Sequence, residues 1–184
     1  LHSTSRRQRQ MCIRDRINLT YEALEFKIFM DSWDINFYGK EIFISAGLAG
    51  KKDIFMQMLG NVGGYARLVD FDKDITIVIL SDNMMQRFKQ GDKDAFIQMI
   101  EDKINASNTP YRKLKFTTEE RVLDYMDSRA RGHVLQNKKD LKDKKNSADL
   151  NERIQAAIDR DELMLDMVKR YKESTKIPQQ QDLF

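Results

Sequence analysis

The run Ile75-Thr76-Ile77-Val78-Ile79-Leu80 is almost continuously apolar and largely β-branched. Such a run predicts a strand that is covered on both faces, as the central strand of a parallel sheet is. Around it, from Ile35 to Arg129, apolar clusters alternate between strand-like and helix-like spacing over about 95 residues, a length that suits one compact domain. The sequence therefore predicts an α/β domain over residues 35–129.

Four strands and three helices are predicted in the order βαββαβα. The Gly63-Gly64 pair is expected to stop the first helix, and Thr117 with Glu120 three residues later has the spacing of a capping box that starts the last one. The predicted strands span 41–45, 65–69, 75–80 and 113–116, and the predicted helices span 52–59, 92–104 and a segment that starts at 117.

Three strings in this region resemble BRCT domains. Tyr38-Gly39-Lys40-Glu41-Ile42-Phe43-Ile44-Ser45 resembles the opening Gly-Lys-x-apolar-x-apolar-[Ser/Thr] strand of that family. Residues 74–81 resemble its third strand, and residues 116–125 resemble its final strand and helix. The resemblance covers about half of the chain. It implies a single BRCT-like βαββαβα domain with a central parallel sheet.

The resemblance also implies a phosphate site. In BRCT domains that bind phosphate, a Ser or Thr that ends the first strand, a nearby glycine N–H and a lysine at the second helix hold the anion, and Ser45, Gly47 and Lys93 match these positions. A hydroxyl, an amide and an ammonium near a helix N-terminus all favour a dianion. A phosphorylated partner or DNA ends are therefore candidate ligands. In the alternative, Ser45 only caps the strand end and Lys93 lies on a solvated face.

The chain departs from the family pattern at two places. The final helix lacks the usual tryptophan, because Trp33 lies before the first strand instead. Ala46 separates Ser45 from Gly47, which changes the position of the backbone donor.

Residues 130–148 are rich in lysine and poor in apolar side chains, which predicts a linker or a solvated helix. The lysines from Lys138 to Lys145 are candidates for salt-dependent contacts with duplex DNA. The interspersed Asp140 and Asp143 equally suit a linker that is merely soluble.

Residues 149–173 are predicted to form an amphipathic helix, with Asp149 as its cap and Glu152 three residues later. Its apolar stripe needs a surface to cover. Packing on the domain is the favoured interpretation, and a partner or a second copy is the alternative. The stripe contains Leu150, Ile154, Ala157, Ile158, Leu165 and Val168.

Residues 174–184 are predicted to be a disordered tail that ends in Gln180-Gln181-Asp182-Leu183-Phe184. This pentapeptide resembles the clamp-binding motif of bacterial replication and repair proteins, Gln-x-[Asp/Ser]-[Leu/Met]-[Phe/Leu], which inserts into a hydrophobic pocket of the DNA sliding clamp. The resemblance rests on five residues. It implies that Gln180, Asp182, Leu183 and Phe184 bind a clamp, whereas the alternative is a frayed polar tail.

Residues 1–16 resemble translated sequencing adapter, because the string from Arg6 to Asp15 matches the translation of a transposon-end adapter used in short-read libraries. We exclude the segment from the fold prediction. The alternatives, a basic arm for nucleic acid and a mitochondrial presequence, rest on its arginine content. Residues 17–34 are interpreted as an uncertain leader, in which Met30 is a credible true start unless a longer gene was cut upstream.

Without residues 1–16, which hold five Arg and one Asp, 27 basic and 28 acidic groups remain, a formal net charge of −1. A globally basic surface for nucleic acid is therefore not supported. Cys12 lies in the excluded segment, which leaves His133 as the only imidazole or thiol outside it. This composition excludes disulfide frameworks and zinc clusters.

No two acids and a base have a spacing that predicts catalysis. Asp70, Asp72 and Asp74 alternate as in metal-binding loops, but the run lacks the glycine and the distal glutamate of an EF-hand, and a solvated turn is the better interpretation. Neither a catalytic residue nor a metal or cofactor is predicted. No apolar run reaches the roughly 18 to 20 residues of a membrane span, so a cytoplasmic protein without a membrane partner is expected.

These features together predict a non-enzymatic interaction adaptor in bacterial or phage DNA replication or repair, recruited to the sliding clamp by its tail. Two other classes stay open. One is the C-terminal fragment of a DNA exonuclease resembling polymerase III epsilon, or of a DNA ligase, whose catalytic domain is missing. The other is a DNA-binding module. A small-molecule ligand is not expected.

Overall fold

A computed structural model describes residues 19–45, 47–63, 67–68, 74–89, 91, 93–106, 109–143 and 145–176. The elements in chain order are α1 (Tyr21–Asp31), β1 (Glu41–Ile44), α2 (Lys52–Gly63), β2 (Arg67–Leu68), β3 (Ile77–Leu80), α3 (Asp82–Lys89), α4 (Lys93–Ala106), a 3-10 turn (Tyr111–Lys113), β4 (Lys115–Thr118), α5 (Glu119–Asp140) and α6 (Ala148–Thr175).

The four strands form one parallel sheet in the order β2-β1-β3-β4. Ile42 pairs with Ile77, and Val78 pairs with Phe116. All four residues of β3 are buried, as expected for a strand that lies between two neighbours and is covered on both faces. The predicted α/β class with a central parallel sheet is confirmed.

Helices cover both faces of this sheet. On one face, α2, α5 and α6 pack on Ile42, Ile77 and Ile79. On the other face, α1 and α4 pack on Val78, Leu80 and Phe116. Successive residues of a strand point to opposite faces, so the apolar run that starts at Ile75 supplies both cores. The result is three layers, helix on sheet on helix.

Helix α1 lies in the segment that the sequence suggested was an uncertain leader. Thr20 caps it by accepting a hydrogen bond from the Ala23 amide at 3.2 Å. Leu24 and Ile28 are buried in the core that covers Val78. The folded body therefore extends beyond the predicted limits 35–129, and a chain that began at Met30 would lack these core side chains.

Two helix caps differ from their predicted positions. Thr118, not Thr117, caps α5 and accepts from the Arg121 amide at 3.3 Å. Thr117 is instead a buried strand residue that pairs with Ile79. Similarly Ser147, not Asp149, caps α6 and accepts from the Leu150 amide at 3.2 Å.

The fourth strand also begins later than predicted. Residues 111–113 form the 3-10 turn that follows Pro110, and β4 starts at Lys115. Helix α3 was not predicted. It begins directly after β3, where the Ser81 hydroxyl accepts from the Met84 amide at 3.2 Å and caps its first turn.

The segment 130–148 is helical as far as Asp140, so the solvated-helix alternative applies to most of it. The predicted helix 149–173 is confirmed as α6, which packs on α5 and α2. Of its predicted stripe, Ile158 and Val168 are buried, whereas Leu150 is 42% exposed. The predicted tail lies outside the described residues from 177 onwards. None of the helices described here is long and apolar enough to cross a membrane.

Candidate functional site at the carboxyl edge of the sheet

Ser45 and Ser81 lie side by side where β1 and β3 end. The Ser81 amide donates to the Ser45 hydroxyl at 2.8 Å, and the two hydroxyl oxygens are 3.3 Å apart. Both side chains are buried. The connection after β1 runs through α2 on one face, whereas the connection after β3 runs through α4 on the other face. In open α/β sheets, ligands bind outside the strand ends at such a point of divergence.

The carboxylate of Glu119 lies at the sheet edge where β1 and β3 end. Glu119 is the first residue of α5 and is fully buried. Its oxygens accept hydrogen bonds from the Ala49 amide at 3.1 Å and from the Asp82 amide at 2.8 Å. The hydroxyl of Tyr171 donates a third hydrogen bond. The chain's own carboxylate thus sits where the backbone amides of two loops could hold an anionic ligand.

Tyr171 connects this site to the last helix. Its ring is buried against Phe55, at 5.3 Å between ring centroids, and its hydroxyl accepts from the Gly50 amide at 3.0 Å. Burial raises the pKa of the Tyr171 hydroxyl, and the hydrogen bond to Glu119 raises it further. Tyr171 therefore remains a neutral donor at all ordinary pH values, as the Glu119 carboxylate requires.

Gly50 permits the close approach of α6. A Cβ atom at this position would lie 2.6 Å from a ring carbon of Tyr171 and 2.9 Å from the Ser174 hydroxyl. The next amide, that of Lys51, donates to the Ser174 hydroxyl at 3.1 Å. The loop after β1 is thus held by backbone hydrogen bonds to α5 and to α6.

The three residues of the predicted phosphate site have the following positions. Ser45 lies at the strand end with its hydroxyl engaged by Ser81, and Gly47 follows it with a positive φ of 83°. Lys93 begins α4, and its ammonium lies 4.3 Å from the centroid of the Tyr21 ring. The structure places Ser45 and Gly47 at the same edge. No contact in the described part of the chain joins Lys93 to either residue.

A second buried carboxylate faces a cavity of about 130 Å³ between α2, α5 and α6. Asp161 is 9% exposed, and its Oδ2 accepts no hydrogen bond from the residues described here. His133 Nδ1 lies 3.6 Å from this Oδ2, and Arg160 Nε lies 3.9 Å from Oδ1. Both distances are longer than those of ordinary hydrogen bonds.

Sequence reasoning missed Glu119, Tyr171 and Asp161. Glu119 stands among four consecutive polar residues before Arg121, and no local pattern distinguishes it from its exposed neighbour Glu120. Tyr171 follows Val168 by three residues, so the helical period of the apolar stripe could have included it.

The residues predicted to bind a clamp, Gln180, Asp182, Leu183 and Phe184, lie outside the described residues, as do Asp70 and Asp72. Within the described ranges, no group of three His, Cys, Asp or Glu side chains is placed to hold a metal ion. Comparisons with protein-family models, with curated proteins and with solved structures give no significant match.

Proposed function

We propose that this chain is a non-enzymatic BRCT-like interaction module that acts in bacterial or phage DNA replication or repair. Its C-terminal peptide, residues 180–184, would recruit it to the DNA sliding clamp. The observation that carries the proposal is the sequence Gln180-Gln181-Asp182-Leu183-Phe184 itself. Two adjacent large apolar side chains each gain roughly 1.5–3 kcal/mol when a pocket removes them from water.

The order of the structural elements supports the BRCT-like part of the proposal. Strands β1 to β4 with helices α2, α4 and α5 follow the order βαββαβα, and all neighbouring strands are parallel. The Gly39-Lys40 pair stands directly before β1, as the resemblance implies. Helices α1, α3 and α6 are additions to that order.

The end of α6 limits the length of the segment that would connect the domain to a clamp. Because α6 packs on the domain as far as Tyr171 and ends at Thr175, only residues 176–179 separate the folded body from the docking peptide. At no more than about 3.6 Å per residue, four residues span at most roughly 15 Å. A docked peptide would therefore hold the domain next to the clamp, where its effective concentration at the DNA is high.

The phosphate-binding role of Ser45, Gly47 and Lys93 is the less supported part of the proposal. The buried Glu119 carboxylate already takes the amides of Ala49 and Asp82 beside Ser45. A phosphate at this edge would have to displace that carboxylate or bind away from it, because two anions at the same amides repel each other. If Lys93→Met binds a phosphopeptide or DNA ends as well as the original chain does, Lys93 has no such role.

Fluorescence anisotropy of a labelled peptide of residues 174–184 against a bacterial sliding clamp tests the recruitment. We expect saturable binding at roughly micromolar Kd, about −8 kcal/mol. The matched control is the same peptide without Leu183 and Phe184, which should not bind. Absence of binding by the complete peptide at high micromolar clamp would refute the recruitment and leave an interaction domain of unknown partner.

The two other classes make different predictions. For a fragment of an exonuclease or a ligase, the genomic sequence upstream should continue in frame and contain exonuclease acids or a ligase lysine motif. For a DNA-binding module, the chain should bind duplex DNA with an affinity that falls steeply with salt. In the structure Lys138 already pairs with Glu162 at 2.7 Å, which lowers the charge available for phosphate contacts.

A further inference from the structure

Helix α1 presents an apolar stripe to solvent on the side opposite to its buried residues. Phe26, Phe29 and Met30 are 66%, 52% and 52% exposed, and Trp33, just after the helix, is 76% exposed. Their spacing of i, i+3, i+4 and i+7 places them on one helical face. The ring of Trp33 packs edge-on against Phe29 at 6.1 Å between centroids, so the stripe is a continuous surface. We call these four residues the α1 stripe.

The size of the α1 stripe distinguishes it from scattered surface residues. Large aromatic side chains such as Phe26, Phe29 and Trp33 present about 150–250 Å² each. Together with the long side chain of Met30, the four exposed fractions amount to roughly 500 Å² of apolar surface. The largest apolar patch of a typical monomer is about 300–600 Å² and is often functional. The α1 stripe alone falls in the upper part of that range.

We propose that the α1 stripe is a self-association surface, on which α1 of a second copy of this chain packs antiparallel about a two-fold axis. An interface of standard size takes about 800 Å² from each partner, and in homodimers about 65% of it is apolar, which is roughly 500 Å². The α1 stripe supplies that area without any change in the fold. Such a contact is isologous, because the same surface serves both copies.

The charges in the N-terminal half of α1 favour the antiparallel orientation of the two helices. Glu22 and Glu25 are both exposed in the N-terminal half of the helix. Parallel packing would place these acids beside their counterparts, which is destabilising. Antiparallel packing instead places them near the other end of α1, where the carboxylate of Asp31 is already paired with Lys27 at 3.0 Å. Antiparallel packing also opposes the two helix dipoles favourably. The proposal depends only on α1 and not on the C-terminal peptide.

Sedimentation equilibrium of the complete 184-residue chain, up to about 100 μM, tests the proposal. We expect the mass to rise with concentration from 21.7 kDa to twice that value. Trp33 is the only tryptophan of the chain, so its emission should shift to shorter wavelength over the same concentration range. A chain that stays at the monomer mass throughout would overturn the proposal.

Matched variants identify the surface. Phe29→Glu and Trp33→Glu should each keep the monomer mass at concentrations where the original chain is a dimer. Leu163→Glu, at a position 49% exposed on α6, should leave the dimer unchanged. Circular dichroism checks that each variant is folded. The assignment to α1 is overturned if a folded Phe29→Glu variant, or a folded Trp33→Glu variant, dimerises like the original chain. It is also overturned if Leu163→Glu dissociates equally.

Discussion

The hydroxyl of Tyr171 donates a hydrogen bond to the carboxylate of Glu119, and both side chains are fully buried. Glu119 begins α5 directly after β4, and Tyr171 lies in the last turns of α6. The pair therefore joins the additional helix α6 to the edge of the sheet where β1 and β3 end. Through the amides of Ala49, Gly50 and Asp82, the same two side chains also fix both loops at that edge.

Removing the Tyr171 hydroxyl should destabilise the protein. In Tyr171→Phe the Glu119 carboxylate loses a donor and the Gly50 amide loses its acceptor, and a hydrogen bond to a charged group contributes about 1.5–3 kcal/mol. We expect the free energy of unfolding in urea to fall by that amount. The control is Tyr125→Phe. The Tyr125 hydroxyl accepts a hydrogen bond from the exposed Arg129, and its removal should change stability by less than about 0.5 kcal/mol.

The two buried carboxylates should respond differently to neutralisation. Glu119→Gln places an amide NH₂ among donors that now share a carboxylate, so at least about 2 kcal/mol of stability should be lost. Asp161→Asn should cost less than about 1 kcal/mol, because its Oδ2 accepts no hydrogen bond from the described residues and its neighbours His133 and Arg160 are exposed to solvent. Urea unfolding of both variants measures the difference. Equal losses of stability would show that the hydrogen bonds of Glu119 do not account for its contribution to the free energy of unfolding.

Two glycines provide a test of the close contact between the loop after β1 and α6. Gly50→Ala should cost about 1–3 kcal/mol, because the new Cβ would meet the Tyr171 ring at 2.6 Å. Gly60→Ala, in the interior of α2 with nothing within 4 Å of the new Cβ, should instead raise stability by about 0.5–1 kcal/mol. Thermal unfolding of the two variants compares a crowded with an open site. A Gly50→Ala variant as stable as the original chain would mean that α6 moves freely away from the loop.

The class of fold could be predicted from the sequence because its signal is local. The run 75–80 is apolar at nearly every position, whereas a half-exposed strand would alternate apolar and polar residues. The pattern therefore predicts a strand covered on both faces, and all four residues of β3 are buried. The same is true of α6, where an apolar period of 3.6 residues predicted the packed helix. Boundaries were less predictable. Thr117 and Thr118 are both suitable caps, and both pair with β3. The end of β4 at Thr118 decides which of them caps the helix.

The site at the sheet edge could not be predicted, because its partners are distant in sequence. Glu119 and Tyr171 are 52 residues apart, and Glu119 and Ala49 are 70 apart. No pattern within one element indicates that a carboxylate at the start of a helix will be buried rather than solvated. Helix α1 was missed for another reason. Its segment was interpreted as an uncertain leader, although Leu24 and Ile28 have the helical spacing of a buried face.

Alkaline pH should destabilise the protein through Tyr171, which is buried, and Tyr111, which is partly buried. Burial, with a smaller contribution from the Asp31 charge, raises the pKa of Tyr111 to about 12, and burial also raises the pKa of Tyr171. Above the pKa of about 10 in the unfolded chain, the unfolded state loses a proton that the folded state keeps, so stability falls as pH rises. The contribution of Tyr111 is complete below pH 10 and is lost by about pH 12. Each such group adds at most about 1.4 kcal/mol per pH unit to the slope.

The measurement is the free energy of unfolding in urea at several pH values between 10 and 12. Tyr111→Phe should show a shallower fall with pH than the original chain, because the group that holds the extra proton is absent. Tyr38→Phe, at a tyrosine that is 64% exposed, should keep the original slope. Lysines titrate in the same range in all three proteins, so only the difference between slopes reports on Tyr111. Identical slopes for Tyr111→Phe and the original chain would contradict the raised pKa that follows from the partial burial of Tyr111 beside Phe116 and near the Asp31 charge.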